Sequence, residues 1–181
     1  ASIHLANQTG LAVLCIEEIS ALTPGSQKKF NAMTDWRNAL FIPQIGQSVK
    51  LKKGCKVVFV SSMNPSAFGG VHNLNADLRS RLTERPVPFP DKDQEERILR
   101  SVCPWAGSSL IEQATTLARD TRTDTLDYSL STRDLVQLLE NIEKLDGDLL
   151  EPLVSVVAKF EESDRATVRD RIDGAFNVKV P

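Results

Sequence analysis

Two unbroken apolar runs constrain this chain more than any other feature. Leu11-Ala12-Val13-Leu14-Cys15-Ile16 is one; Val57-Val58-Phe59-Val60, entered from Lys56, is the other. Both have strand length, and neither alternates apolar with polar residues. A strand that is apolar on both faces belongs in a sheet covered on both sides, the usual condition of a parallel sheet. Each run ends abruptly in polar residues, Glu17-Glu18 after the first and Ser61-Ser62-Met63-Asn64-Pro65 after the second. Open α/β sheets take their ligands at the carboxyl ends of parallel strands, so both endings are candidate sites. The plainer alternatives are a solvated acidic turn and a turn opened by Asn-Pro.

Around these strands the remaining elements fall into two halves. Ala1 to Gln8 reads as the end of a helix closed by Gly10, an abrupt opening that leads to the expectation of a fragment. Thr23-Pro24 is a cap followed by proline at the first helical position, predicting a helix to about Trp36. Ala39–Ile42 and Ser48–Leu51 flank Pro43-Gln44-Ile45-Gly46-Gln47, a hairpin pattern. The Gly-rich Phe68-Gly69-Gly70 leads to a short helix from Asn75 to Leu82, and the prolines of Arg85-Pro86-Val87-Pro88-Phe89 require extended backbone. From Asp91 onward helical periodicity takes over, predicting helices near 91–103, 107–121, 132–145, 149–161 and 164–174. Asp91 with Gln94, and Ser131 with Asp134, have capping-box spacing. Residues 1–90 thus read as α/β and residues 91–181 as all-α.

Composition excludes several classes. Apolar residues make up 41% and charged residues 25%, with a net charge of −2. That is ordinary for a globular domain and argues against a general binder of nucleic acid or membrane surfaces, though not against a local basic patch. Cys15, Cys55 and Cys103 lie far apart, and no CxxC or Cys/His cluster points to a disulfide framework or a zinc site. Reduced thiols in a cytoplasmic protein are the simplest expectation. No stretch is apolar and long enough for a transmembrane helix, and no signal-peptide layout occurs.

The order of the motifs is more specific than any one of them. The segments LAVLCIEEISALTPGSQKKFNAMTD and VVFVSSMNPSAFGGVHNLNADLRSRLTE resemble the Walker B, sensor-1 and arginine-finger segments of AAA+ ATPases, especially the MoxR-like, midasin- and dynein-related and McrB-like groups. Leu130-Ser131-Thr132-Arg133-Asp134-Leu135 is similar to the sensor-2 segment of the family's helical lid. The resemblance covers most of the chain. It implies a partial P-loop NTPase αβα core with a parallel sheet over 1–90, followed by an all-α helical lid over 91–181.

The resemblance also implies roles. Glu18 is the catalytic glutamate, and Glu17 stands where the family has the aspartate that directs magnesium through water, one methylene too long for an identical placement. Asn64 is sensor 1 and Arg133 sensor 2. Arg81 is the finger that reaches a neighbouring subunit, with Arg79 in reserve; the fork of an arginine meets two phosphate oxygens at once and in related systems contributes about 10³–10⁵ in rate. For each arginine the plain alternative is a surface ion pair or a solvent-facing helix residue. ATP and Mg are the implied cofactors, and self-association into a hexameric or other ring is the implied assembly. Protein is the main expected substrate. Lys50, Lys52 and Lys53 on the hairpin allow nucleic acid, against the simpler reading of lysines guarding a strand edge. His4 and His72 have no partners at ligand spacing.

One part is missing. No Gly-x-x-x-x-Gly-Lys-Ser/Thr occurs, and Gly69-Gly70-Val71-His72 does not replace it. The chain alone is therefore expected to bind ATP poorly and to be inactive. The leading reading is a piece of a ring-forming ATPase that remodels or assembles other macromolecules. The alternatives are a non-hydrolysing assembly or regulatory module of the same fold, and an unrelated α/β domain.

Overall fold

In the computed structural model, residues 1–43, 46–63, 72–123 and 125–181 are described. They are mixed α/β and divide into two compact units, Ala1–Pro86 and Val87–Pro181. The sequence pattern set the change of character at 90/91.

The first unit is built on a parallel pair, β1 (Leu11–Ile16) and β4 (Lys56–Ser61), in register from Leu11 opposite Lys56 to Ile16 opposite Ser61. Helix α1 (Ser2–Thr9) leads into β1 through Gly10, whose φ of 86° provides the left-handed turn that stops the helix. Its buried Ile3 and Ala6 lie against β1 and β4. Strict alternation then sorts the strands. Ala12, Leu14, Val57 and Phe59 share the covered face, where Phe30 meets Phe59 at 5.7 Å between ring centroids. On the other face Leu11, Val13, Val58 and Val60 are exposed. The expectation of cover on both faces is therefore met on one face only among the described residues. β1 is apolar throughout and β4 from Val57 to Val60, as the sequence indicated, but a two-stranded sheet leaves half of that surface bare.

The helix opened by Thr23-Pro24 is shorter than the sequence predicted. Helix α2 spans Pro24–Lys28, with the Thr23 side chain accepting from Ser26 N–H, and no helix reaches Trp36. Beyond Lys28 the chain tightens into turns, Phe30 N–H bonding to Gln27 O and Asn31 N–H to Lys28 O. Thr34 Oγ bonds back to the carbonyls of Phe30 and Asn31 at 3.1 and 3.3 Å, and Asp35 accepts from Arg37 N–H at 2.9 Å. Such short polar side chains bonding to nearby backbone favour turns over a continued helix in this segment. The antiparallel hairpin forms between β2 (Ala39–Ile42) and β3 (Gln47–Lys50), with Ala39 opposite Lys50 and Phe41 opposite Ser48. A one-turn helix α3 (Ala76–Arg79), capped by Asn75 Oδ1 on Asp77 N–H, closes the unit.

The second unit is all-α: α4 (Lys92–Val102), α5 (Ser108–Thr121), α6 (Thr132–Lys144), α7 (Leu150–Val157) and α8 (Glu162–Phe176). Four lie within two residues of the spans their periodicity predicted, whereas α7, expected over 149–161, ends at Val157. Its core joins Leu99, Ile111, Leu117, Leu130, Leu135, Leu139, Leu153, Phe160, Val168 and Ile172. The Ser131/Asp134 capping box forms in full at the start of α6, whereas at α4 the Asp91 side chain accepts from Gln94 N–H at 2.8 Å. Among the described residues no helix is long and apolar enough to cross a membrane.

Candidate functional site

The two strand endings come together in the first unit. Past the last ladder pair, Ser62 N–H donates to Ile16 O at 3.1 Å and Ile19 N–H donates to Ser62 O at 2.9 Å. Between those bonds Glu18 N–H donates to Ser62 Oγ at 3.1 Å. Ser62 thus fastens the chain leaving β1 to the chain leaving β4. Glu17 and Glu18 sit exposed at the lip of the parallel pair. Asn64, two residues beyond Ser62, lies outside the described residues.

Glu18 has an unusual backbone. Its φ of 51° and ψ of 49° are left-handed, a conformation that costs a residue with a Cβ on the order of 1 kcal/mol. The bond to Ser62 and the turn of 3₁₀ helix that follows, Ile19–Ala21, hold it there. Ile19 is fully buried and anchors that turn.

The arginines differ in how they are held. Arg79 grips Glu84 with two donors, Nε to Oε1 at 2.7 Å and Nη2 to Oε2 at 3.1 Å, so its fork is occupied. That contact holds the Arg79 guanidinium above its ordinary pKa, first through the hydrogen bond and then through the charge of Glu84. Arg81 meets Asp35 only as an ion pair, Nη1 to Oδ2 at 3.7 Å. Asp35 is already taken by Arg37, whose Nε and Nη2 bond to it at 3.0 and 2.6 Å and hold its carboxyl below the usual carboxylate value. Among the described residues the Arg81 side chain donates no hydrogen bond, and about a third of it is exposed.

Gln27 positions the segment that carries both arginines, a role no local pattern announced. Fully buried, it donates from Nε2 to Leu22 O at 3.0 Å and accepts at Oε1 from Asn75 N–H at 2.7 Å. It ties α2 to the N-cap of α3, four residues from Arg79 and six from Arg81. His72 N–H donates to Ser20 O at 2.7 Å, which brings the same segment to the turn after Glu18. The hairpin lysines Lys50, Lys52 and Lys53 are exposed.

Arg133 is exposed on the first turn of α6, in the second unit. Beside it, Asp134 accepts from Ser131, Tyr128 and Lys159. Burial works to raise the Asp134 carboxyl, but these bonds, led by that of Lys159, outweigh it and hold the group below its ordinary value. Burial, then the bond to Asp134, pushes the Tyr128 hydroxyl up to about 12. A second buried polar cluster is anchored on Glu95, which is fully buried and accepts from Arg122 Nη1 and Nη2 at 2.8 and 2.7 Å and from Thr132 Oγ at 2.7 Å. It joins α4, the end of α5 and the start of α6, next to Arg133.

Among the described residues no group of three or more His, Cys, Asp and Glu side chains is arranged to hold a metal ion. Magnesium, however, is commonly held by one or two carboxylates together with water and phosphate oxygens. The exposed Glu17–Glu18 pair has the chemistry for that role. No protein-family model and no curated protein sequence matches this chain.

Proposed function

We propose that this chain is part of a ring-forming AAA+ ATPase that couples ATP hydrolysis to remodelling or assembly of protein or nucleic-acid partners. The observation that carries the reading is the Ser62 fastening, which holds the acidic residues after β1 to the chain leaving β4 at one edge of a parallel pair. Glu18 is the general base and takes a proton from the attacking water. Its left-handed backbone, maintained against a conformational cost, is the kind of strain that accumulates at functional positions. Asn64 orients the same water or the terminal phosphate. Glu17 would hold the water shell of magnesium, which would supply positive charge to neutralise the phosphate oxygens of ATP as the terminal phosphoanhydride bond breaks. Arg81, which among the described residues donates no hydrogen bond and meets Asp35 only as an ion pair at 3.7 Å, is better suited than the doubly hydrogen-bonded Arg79 to meet the phosphate of a neighbouring subunit. Arg133 acts from the lid as a second phosphate sensor. This reading requires a phosphate-cradling loop from another part of the assembly, since no Gly-x-x-x-x-Gly-Lys-Ser/Thr occurs in the chain.

The test is ATP hydrolysis by the product of the whole open reading frame beside its Glu18→Gln form. Turnover per subunit that rises with protein concentration and is lost in the Gln form supports the reading. Absence of turnover in the unaltered protein refutes it and leaves the second reading, a non-hydrolysing assembly module. The missing Gly-x-x-x-x-Gly-Lys-Ser/Thr sequence favours that second reading.

A further inference from the structure

We propose that the β2–β3 hairpin and the turn after it form a binding surface for single-stranded nucleic acid, with Lys50, Lys52, Lys53 and Lys56 on phosphates and Phe41 and Trp36 as stacking platforms for bases. The inference rests on this surface alone and holds whether or not the chain belongs to an ATPase.

The net charge of −2 conceals a strong division. Residues 1–86 carry ten Lys and Arg against five Asp and Glu, a formal +5, whereas residues 87–181 carry twelve against nineteen, a formal −7. Within the first unit the excess is concentrated further. From Lys28 to Lys56 there are seven basic residues and one acid, Asp35, already paired with Arg37 and Arg81. The four lysines of the hairpin and its turn are exposed and form no ion pair among the described residues.

The backbone under these lysines is fixed. Asn7 of α1 donates from Nδ2 to Lys50 O at 2.9 Å and accepts from Lys52 N–H at 2.7 Å. Cys55 N–H donates to Lys52 O at 3.1 Å and closes the turn around Gly54, which takes the φ of 86° that a side chain would disfavour. Two exposed aromatics belong to the adjoining segments. Alternation along the ladder puts Phe41, opposite Ser48, on the face that also carries Lys50. Leu51 N–H donates to Asn38 O at 2.9 Å, which sets the segment holding Trp36 beside the one holding Lys50 to Lys53. Trp36 is 87% exposed and Phe41 56%.

Lysines on a hairpin edge have a simpler use, keeping other strands away. That use gives no reason to leave an indole and a phenyl ring so exposed on the segments paired or hydrogen-bonded to theirs. A basic surface interleaved with free aromatic faces matches the two halves of a nucleotide, phosphate and base, and only unpaired bases offer their faces. An acidic peptide would satisfy the lysines and leave the rings unused.

Fluorescence anisotropy of labelled 20-nucleotide oligo-dT and oligo-U, with the 181-residue chain and no ATP, tests this. The expected result is binding that weakens with salt at a slope of about −3, near −0.7 for each lysine–phosphate contact. Lys50→Glu, Lys52→Glu and Lys53→Glu together abolish it, and the corresponding three arginine substitutions retain it. Phe41→Ala and Trp36→Ala each weaken it about five- to a hundredfold while leaving the salt slope unchanged. The proposal is overturned by no binding at 50 mM salt, by equal binding of a duplex or of polyglutamate, or by alanine variants of both aromatics that bind as the unaltered chain does.

Discussion

Replacing Arg122 by alanine strands a carboxylate in the core of the helical unit. Glu95 is fully buried and its two oxygens receive three donors, two of them from the Arg122 fork. Arg122 also donates from Nε to Leu130 O at 2.9 Å and lies 4.1 Å from the centroid of the Phe89 ring. Breaking a buried pair from one side costs about 3–5 kcal/mol, because the remaining charge has neither water nor partner. The unpaired Leu130 carbonyl adds about 1 kcal/mol. These terms share one site and do not add fully, so about 4 kcal/mol is expected. Against a total stability of about 5–15 kcal/mol that is a large fraction, and for a domain of this size it lowers the melting temperature by about 15–30 °C. Urea and thermal unfolding followed by circular dichroism at 222 nm measure it. Replacing the pair together, Glu95→Leu with Arg122→Met, removes both charges and costs much less than Arg122→Ala alone. A loss below about 1 kcal/mol for Arg122→Ala, or a double variant as unstable as the single, refutes the reasoning.

Tyr128 is the sole tyrosine, so absorbance at 295 nm reports its ionisation directly; the midpoint is expected at about 12. Because its folded pKa lies above the unfolded value of about 10, the stability it contributes is complete below pH 10 and is lost as pH rises from 10 to 12. Tyr128→Phe removes that part of the alkaline loss, and a midpoint near 10 in the folded protein contradicts the buried bond to Asp134. Glu18→Gly relieves the left-handed backbone and is expected to raise the stability of the first unit by about 0.5–1 kcal/mol. The same change abolishes any turnover; a destabilised Gly variant shows that the conformation carries no strain.

The helical half was legible because its signals are local. Ser131 and Asp134 are three residues apart, and the cap they announced forms as expected. The α/β half depended on distant partners, and there the sequence said less. Thr23-Pro24 marked where a helix starts, but after Lys28 the chain passes into tighter i→i−3 turns at Phe30 and Asn31, an ending that periodicity does not reveal. The apolar character of Leu11 and Val13 implied cover on both faces, whereas the described residues provide it on one. At the site, Glu17 and Glu18 stood out because acids after an apolar run are conspicuous. Ser62 and Gln27, which hold the site's segments, did not, since their partners lie 44 and 48 residues away. Glu95 and Arg122, 27 residues apart, likewise looked like ordinary helix-surface charges until the fold buried them.

A site shared between subunits is tested most directly by mixing two inactive forms. Glu18→Gln removes the base from one side of the proposed site, and Arg81→Ala removes the finger from the other. Each protein alone, as the product of the whole open reading frame, is expected to lack ATP turnover. Mixed in equal amounts, they form some interfaces that pair an intact Glu18 with an intact Arg81, and turnover returns to a fraction of that of the unaltered protein. Arg79→Ala, whose fork is engaged with Glu84, retains activity on its own. If the mixture stays inactive while the unaltered protein hydrolyses ATP, the base and the finger do not meet across an interface, and the proposed shared site is wrong.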